Sequence, residues 1–135
     1  MININYWAVL GAAVVNMVVG SLWFGPLFGK MWKNLMGFTD ESMKKMSSLT
    51  MTQAMLGGAV TSLIMAYVLA RFIAMAGIMD VKGALLLACW IWLGFMATVH
   101  AGMYLWEGKP FKLFVLVALE SFVALHLMAV VLVMF

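Results

Sequence analysis

Residues Phe111–Met134 read FKLFVLVALESFVALHLMAVVLVM, and apart from Lys112, Glu120, Ser121 and His126 every side chain in the run is apolar. A helix needs about 20 mainly apolar residues to cross the hydrocarbon of a bilayer, and this run exceeds that. Three similar runs precede it, near Tyr6–Phe24, Thr52–Ala76 and Gly83–Leu105. Backbone groups in hydrocarbon must find their hydrogen bonds within the segment, so continuous apolar runs form helices. A barrel would show short alternating strands instead. The expected fold is all-α: an integral membrane four-helix bundle, one four-span domain over residues 1–135, with a short interfacial helix between the first and second spans.

Composition agrees. Only 10% of the 135 residues are charged, against about a quarter in soluble domains. The net charge of +3 does not point to nucleic acid, because the basic residues flank the spans. Lys30, Lys33, Lys44 and Lys45 follow the first span, and Lys109 and Lys112 lie between the third and fourth; only Arg71 and Lys82 belong to the opposite side. Lys and Arg accumulate on the cytoplasmic side. The split therefore predicts a multi-pass protein of the cell (inner) membrane, with cytoplasmic first and third loops and both termini outside. The first span has no basic residue before it and is too long for a typical signal-peptide core, so it is expected to be retained. Cys89 stands alone inside a span and says nothing about redox compartment.

Small residues recur at four-residue spacing: Ala8, Ala12, Asn16 and Gly20 in the first span, and Ala54, Gly58, Ser62, Ala66 and Ala70 in the second. Residues four apart share a helix face. Small side chains there let helices approach closely, which is what drives association in lipid. Ala12, Gly20, Gly58, Ser62 and, in the third span, Gly94 are the expected packing positions, either within one chain or between copies of a homo-oligomer. The 15 methionines read as adaptable apolar filler.

The first loop carries structure of its own. Pro26 removes a helical donor and disfavours helical geometry at Gly25, so the first span should kink or stop there. Phe28 and Trp32 should share a face of a short helix along the membrane surface, ended by Gly37. Thr39 is placed to cap a further short helix, with Asp40 and Glu41 in its first turn. Trp7, Trp23, Trp32, Tyr104 and Trp106 fall near the predicted interfaces, as an aromatic belt requires.

At Gly20–Trp32 the chain reads GSLWFGPLFGKMW, and at Trp106–Phe114 it reads WEGKPFKLF. Together these resemble a bacterial family of small four-span membrane proteins catalogued as domain-of-unknown-function family 1761. The resemblance, which also fits the spacing of the spans, implies fold and location and no established chemistry. It further implies that Glu120 stands where relatives carry a neutral or aromatic residue, so chemistry built on Glu120 would be particular to this chain.

Polar residues at depth are the candidate site. Glu120 lies ~13 Å into its span at ~1.5 Å per residue, where an ionisable side chain is costly and is a functional hypothesis by default. Asn16 and His100 lie at comparable depths, so Glu120, His100 and Asn16 could form a proton or cation site if all three face the bundle. The alternative for Glu120 is a neutral acid bonded to a neighbour such as Asn16. His100 points away from Gly94, Thr98 and Ala101, leaving a second interface or the lipid. His126 belongs to a different layer, and Arg71 should snorkel to the outer headgroups.

Met96, His100 and Met103 share a face that would suit Cu(I), although helix packing is the simpler reading. No metal site and no cofactor is expected. No phosphate loop, zinc-protease motif or serine with an identifiable base is present, so no enzyme activity is expected. Three functions remain: a small transporter or channel with a polar layer around Glu120, a non-catalytic membrane scaffold or accessory subunit, and, behind these two, an enzyme or metal carrier. The expected partners are the lipid bilayer, further copies of the chain and a small ion or proton, with no nucleic acid.

Overall fold

The computed structural model describes residues 3–38 and 48–135. The described residues are helical with no strand: α1 (Tyr6–Leu22), a π-helical turn (Trp23–Leu27), α2 (Gly29–Met36), α3 (Ser48–Met75), α4 (Val81–Ile91), a second π-helical turn (Trp92–Ala97), α5 (Thr98–Leu105) and α6 (Phe111–Met134). Four stretches are long and apolar enough to cross a membrane: span 1 (Tyr6–Leu27), span 2 (Thr52–Met75), span 3 (Val81–Leu105) and span 4 (Phe111–Met134). These agree with the apolar runs of the sequence to within a few residues. The expected cap at Thr39 and the helix after it lie outside the described residues.

Local chemistry sets the helix ends. The Asn5 side chain accepts from the Trp7 N–H at 3.1 Å and starts α1. Asp80 does the same for α4, accepting from the Gly83 N–H at 3.0 Å. Each side-chain oxygen satisfies a donor that the first turn leaves unpaired. Gly37 and Gly77 stop α2 and α3 at φ values of 79° and 68°. The residue after each bonds back five positions, Phe38 to Lys33 and Ile78 to Ile73, the closed turn that a left-handed glycine permits.

Pro26 acts as expected. Gly25 leaves the helical region (φ −110°, ψ −105°), and the chain turns through Phe28 into α2. Aromatic rings hold this corner: Trp23 against Phe28 with centroids 4.8 Å apart, and Phe24 against Trp32 at 5.5 Å. A Cβ on Gly29 would sit 2.9 Å from the Phe24 carbonyl oxygen, so the corner closes only around a residue without a side chain.

Span 1 is central. It packs on span 2 along one side and on span 4 along another, while span 3 packs on span 4. The buried core lies in the half that holds the start of span 1 and the end of span 4. It joins Val9, Ala12 and Ala13 to Ala66, Leu69 and Ile73, to Ala84 and Ala88, and to Leu125, Met128 and Ala129. Alanines dominate the crossings, so the helices approach closely. Ala12 and Ala66 are fully buried, as their stripes require. At Gly58 and Gly94 open space surrounds the Cβ position among the described residues, and Gly94 is exposed. Neither is a close backbone crossing within this chain. Gly58 lines an open groove between spans 1 and 2, and Gly94 lies in the second π turn.

Candidate functional site: a polar pocket lined by all four spans

The half of the bundle away from the alanine core contains a cavity of about 260 Å³. Asn16 and Gly20 of span 1, Met65 of span 2, Met96 and His100 of span 3, and Glu120, Ser121 and Ala124 of span 4 line it. The structure thus brings Glu120, His100 and Asn16 to one pocket. Each has a different local reason to be there.

Asn16 continues the small-residue stripe of α1. Its Nδ2 donates to the Ser62 hydroxyl of span 2 at 2.8 Å, and Ser62 is buried. The two stripes therefore meet at a polar pair that joins spans 1 and 2. Asn16 does not bond Glu120, so the neutral acid anchored by Asn16 is not the observed arrangement. The Asn16 carbonyl oxygen is left without a hydrogen-bond partner among the described residues.

Glu120 faces Gly20. A Cβ there would lie 3.6 Å from Glu120 Oε1, in ordinary contact, so the carboxyl lies directly against the bare backbone of Gly20. Among the described residues Glu120 has no hydrogen bond or ion pair. His100 likewise keeps its buried Nδ1 without a partner. Native proteins pair the large majority of buried polar atoms, and an exception calls for an explanation. Here the one such buried atom among the described residues, His100 Nδ1, shares a cavity with the half-buried, unbonded Glu120 carboxyl.

His100 reaches the pocket because of the second π turn. Eight residues of regular α-helix separate two positions by about 80° beyond two full turns, and one extra residue held in a wide turn reduces this to about −20°. Trp92 and His100 are such a pair. Trp92 Nε1 donates to the Ala118 carbonyl at 2.8 Å and to Ser121 Oγ at 3.1 Å. Its ring meets Phe122 edge-on at 5.0 Å. Trp23 opens the first π turn and donates to the neighbouring Leu116 carbonyl at 3.1 Å. Two indoles from two π turns therefore clamp the stretch of span 4 just before Glu120. Sequence reading placed Trp23 at the interface and gave Trp92 no role. Its only signal was a Trp deep in a span, where the indole N–H needs an acceptor.

The other polar residues lie elsewhere. His126 is occupied locally, donating from Nδ1 to the Phe122 carbonyl at 2.6 Å, with its ring tilted against the Phe122 ring at a centroid distance of 4.0 Å. Arg71 is exposed and lies against Tyr67, its guanidinium donating to the hydroxyl at 3.3 Å. Met96 lines the pocket with His100 and Met103 does not. No cluster of three or more His, Cys, Asp or Glu capable of holding a metal occurs among the described residues.

The family model described as "Protein of unknown function (DUF1761)" matches residues 7–133, nearly the whole chain. The chain belongs to this family. No curated protein and no solved structure matches it. Membership in DUF1761 thus agrees with the four-span fold and carries no assigned chemistry, so a function for this DUF1761 chain rests on the pocket.

Proposed function

We propose that this protein is a small transporter or channel-like protein whose site is the polar layer of Glu120, His100 and Asn16, and that it moves a proton or small cation. One observation carries the reading: residues from all four spans line one cavity inside the bundle, and it contains a carboxyl group without a partner among the described residues. A charge at that depth costs about 2.5–3.5 kcal/mol or more. A scaffold has no use for that cost, whereas a site that binds and releases a cation or proton depends on it.

A second groove supports access. About 300 Å³ in volume, it shares Asn16 and Gly20 with the pocket and continues along spans 1 and 2 past Ser21, Thr61 and Ser62. Its hydroxyl groups offer a polar route toward the side that carries the 28–50 loop. The distribution of Lys and Arg makes that side cytoplasmic, with both termini outside the cell (inner) membrane. α2, with Trp32 and Lys33, then lies along the cytoplasmic interface. Self-association into a homo-oligomer is part of the same reading, because much of span 3 is apolar and exposed.

The test is flux. Proteoliposomes holding a pH-sensitive dye should dissipate an imposed pH gradient faster with the protein than without it. Glu120→Gln, confirmed as folded by gel filtration, should abolish the difference. An unchanged rate in the variant would remove Glu120 from any transport role. Cysteine labelling at each terminus, in a Cys89→Ala background, tests the orientation; a terminus reachable only from the cytoplasmic side would reverse it.

A further inference from the structure

The polar pocket has an apolar neighbour. Spans 2 and 3 pack on other helices and make no substantial contact with each other. Between them runs a groove of about 190 Å³, lined by Met65, Val68, Phe72, Ile91 and Met96 with Leu125 of span 4 among its other residues. Met65 and Met96 line the groove and the pocket alike. Val68 and Phe72 are exposed, so the groove opens sideways toward hydrocarbon. A polar cavity whose acceptors lack partners among the described residues therefore adjoins an apolar channel that faces the bilayer. A bare proton or metal ion has no use for the channel. An amphiphile has a use for both parts.

The chemistry of the pocket narrows the head group. Asn16 donates its amide N–H to Ser62 and leaves its carbonyl oxygen as an acceptor. Glu120 adds a carboxylate, and His100 adds a ring nitrogen without a partner. An ammonium group has three donors and no acceptor, and it matches this set in number and sign. It also neutralises the one acidic group lining the pocket. From Met65 to Phe72 the groove is ~10 Å long at ~1.5 Å per residue, which an octyl chain spans.

We propose that the site takes a primary alkylamine, with its ammonium in the polar pocket against Glu120, Asn16 and His100 and its single apolar chain in the groove between spans 2 and 3. This deepens the transport reading and rests on it for the direction of movement: the ligand enters sideways from the bilayer and leaves by the hydroxyl-lined groove between spans 1 and 2.

The test uses the full chain in nanodiscs of zwitterionic lipid, with decylamine carrying a photoreactive diazirine at the chain end. Label is expected on the groove residues Val68, Phe72 and Ile91. Excess octylamine should suppress it. Glu120→Gln should reduce it about tenfold or more, the scale of a lost charge-assisted hydrogen bond. The same chain with a trimethylammonium head, which has no donor, should label the groove less. Val68→Trp fills the groove at a position 42% exposed and should remove the label while the protein stays monodisperse by gel filtration, which keeps the test independent of how Glu120→Gln folds.

Label spread over the outer face of span 3 at Trp90 and Phe95, or label indifferent to octylamine, overturns the proposal. Equal labelling by the trimethylammonium probe does so as well. Glu120-dependent flux without groove label overturns the amine site and leaves the transport reading standing. Glu120-dependent groove label without flux sustains the amine site and removes transport.

Discussion

Deleting one residue from the middle of a membrane helix ordinarily ruins it, because everything beyond the deletion turns by about 100° and shifts by about 1.5 Å. Deletion of Phe95 should be an exception. Phe95 sits in the π turn of span 3, is 75% exposed and faces away from the bundle. Removing it lets the wide turn close into a regular α-turn. Trp92 and His100 are then seven residues apart in regular helix, about −20° from alignment, which is the relation the π turn already gives them. Their contacts with span 4 should survive, and the loss should be about 1 kcal/mol or less, the scale of a change at an exposed position.

The control is deletion of Leu119, also exposed but in the regular helix of span 4. It turns Leu125, Met128 and Ala129 out of positions where they are 2%, 0% and 0% exposed. Losing the contacts of each large side chain costs about 2–5 kcal/mol, enough to exhaust a stability of about 5–15 kcal/mol. Both variants would be heated in detergent, and the monodisperse fraction followed by size-exclusion chromatography. The deletion of Phe95 should melt near the parent protein, while the deletion of Leu119 should not yield folded material. Equal damage from the two would refute the account of how His100 reaches the pocket.

Other outcomes follow from the same contacts. Asn16→Ala and Ser62→Ala should be coupled by about 0.6 kcal/mol and at most about 1.7 kcal/mol, the range for interhelical hydrogen bonds in membranes; additive losses in a double-mutant cycle would deny the pair. Gly58→Leu should leave thermal stability of the single chain nearly unchanged because its Cβ position is open, whereas Ser62→Leu, at a position only 3% exposed, should lower stability by about 1–3 kcal/mol through overpacking. If Gly58→Leu changes the mass in detergent without changing stability, that glycine lies between copies. Trp23→Phe keeps the ring stack with Phe28 and removes one donor to Leu116, so a loss of about 0.5–1.5 kcal/mol is expected; a much larger loss would mean that the indole also positions span 4.

The four spans and the corner at Pro26 were legible because their causes are local. Twenty apolar residues, a proline that cannot donate and a glycine at the end of α2 act through neighbours in sequence. The facing stripes were half legible. Four-residue spacing gave the side of each helix but not its partner, and only the fold shows that Asn16 meets Ser62 while the Cβ position of Gly58 is open. The depth of Glu120, Asn16 and His100 followed from counting residues. Their convergence did not, because it depends on the π turn at Trp92–Ala97. A wide turn has no compositional mark, and regular α-helix places His100 about 80° from Trp92.

The weak contact between spans 2 and 3 has a consequence for biosynthesis. Chains emerge N-terminus first. Spans 1 and 2 can associate as soon as both are made, through the Asn16–Ser62 bond and the facing alanines. Span 3 then enters the bilayer with little to lie against, because its main partner, span 4, has yet to be synthesised. Its helix waits among lipids with the Trp92 indole N–H lacking its acceptor, until Ala118 and Ser121 arrive. The final span is therefore the one that locks the assembly, and a chain stopped after Trp106 should hold a formed hairpin beside a loose third helix.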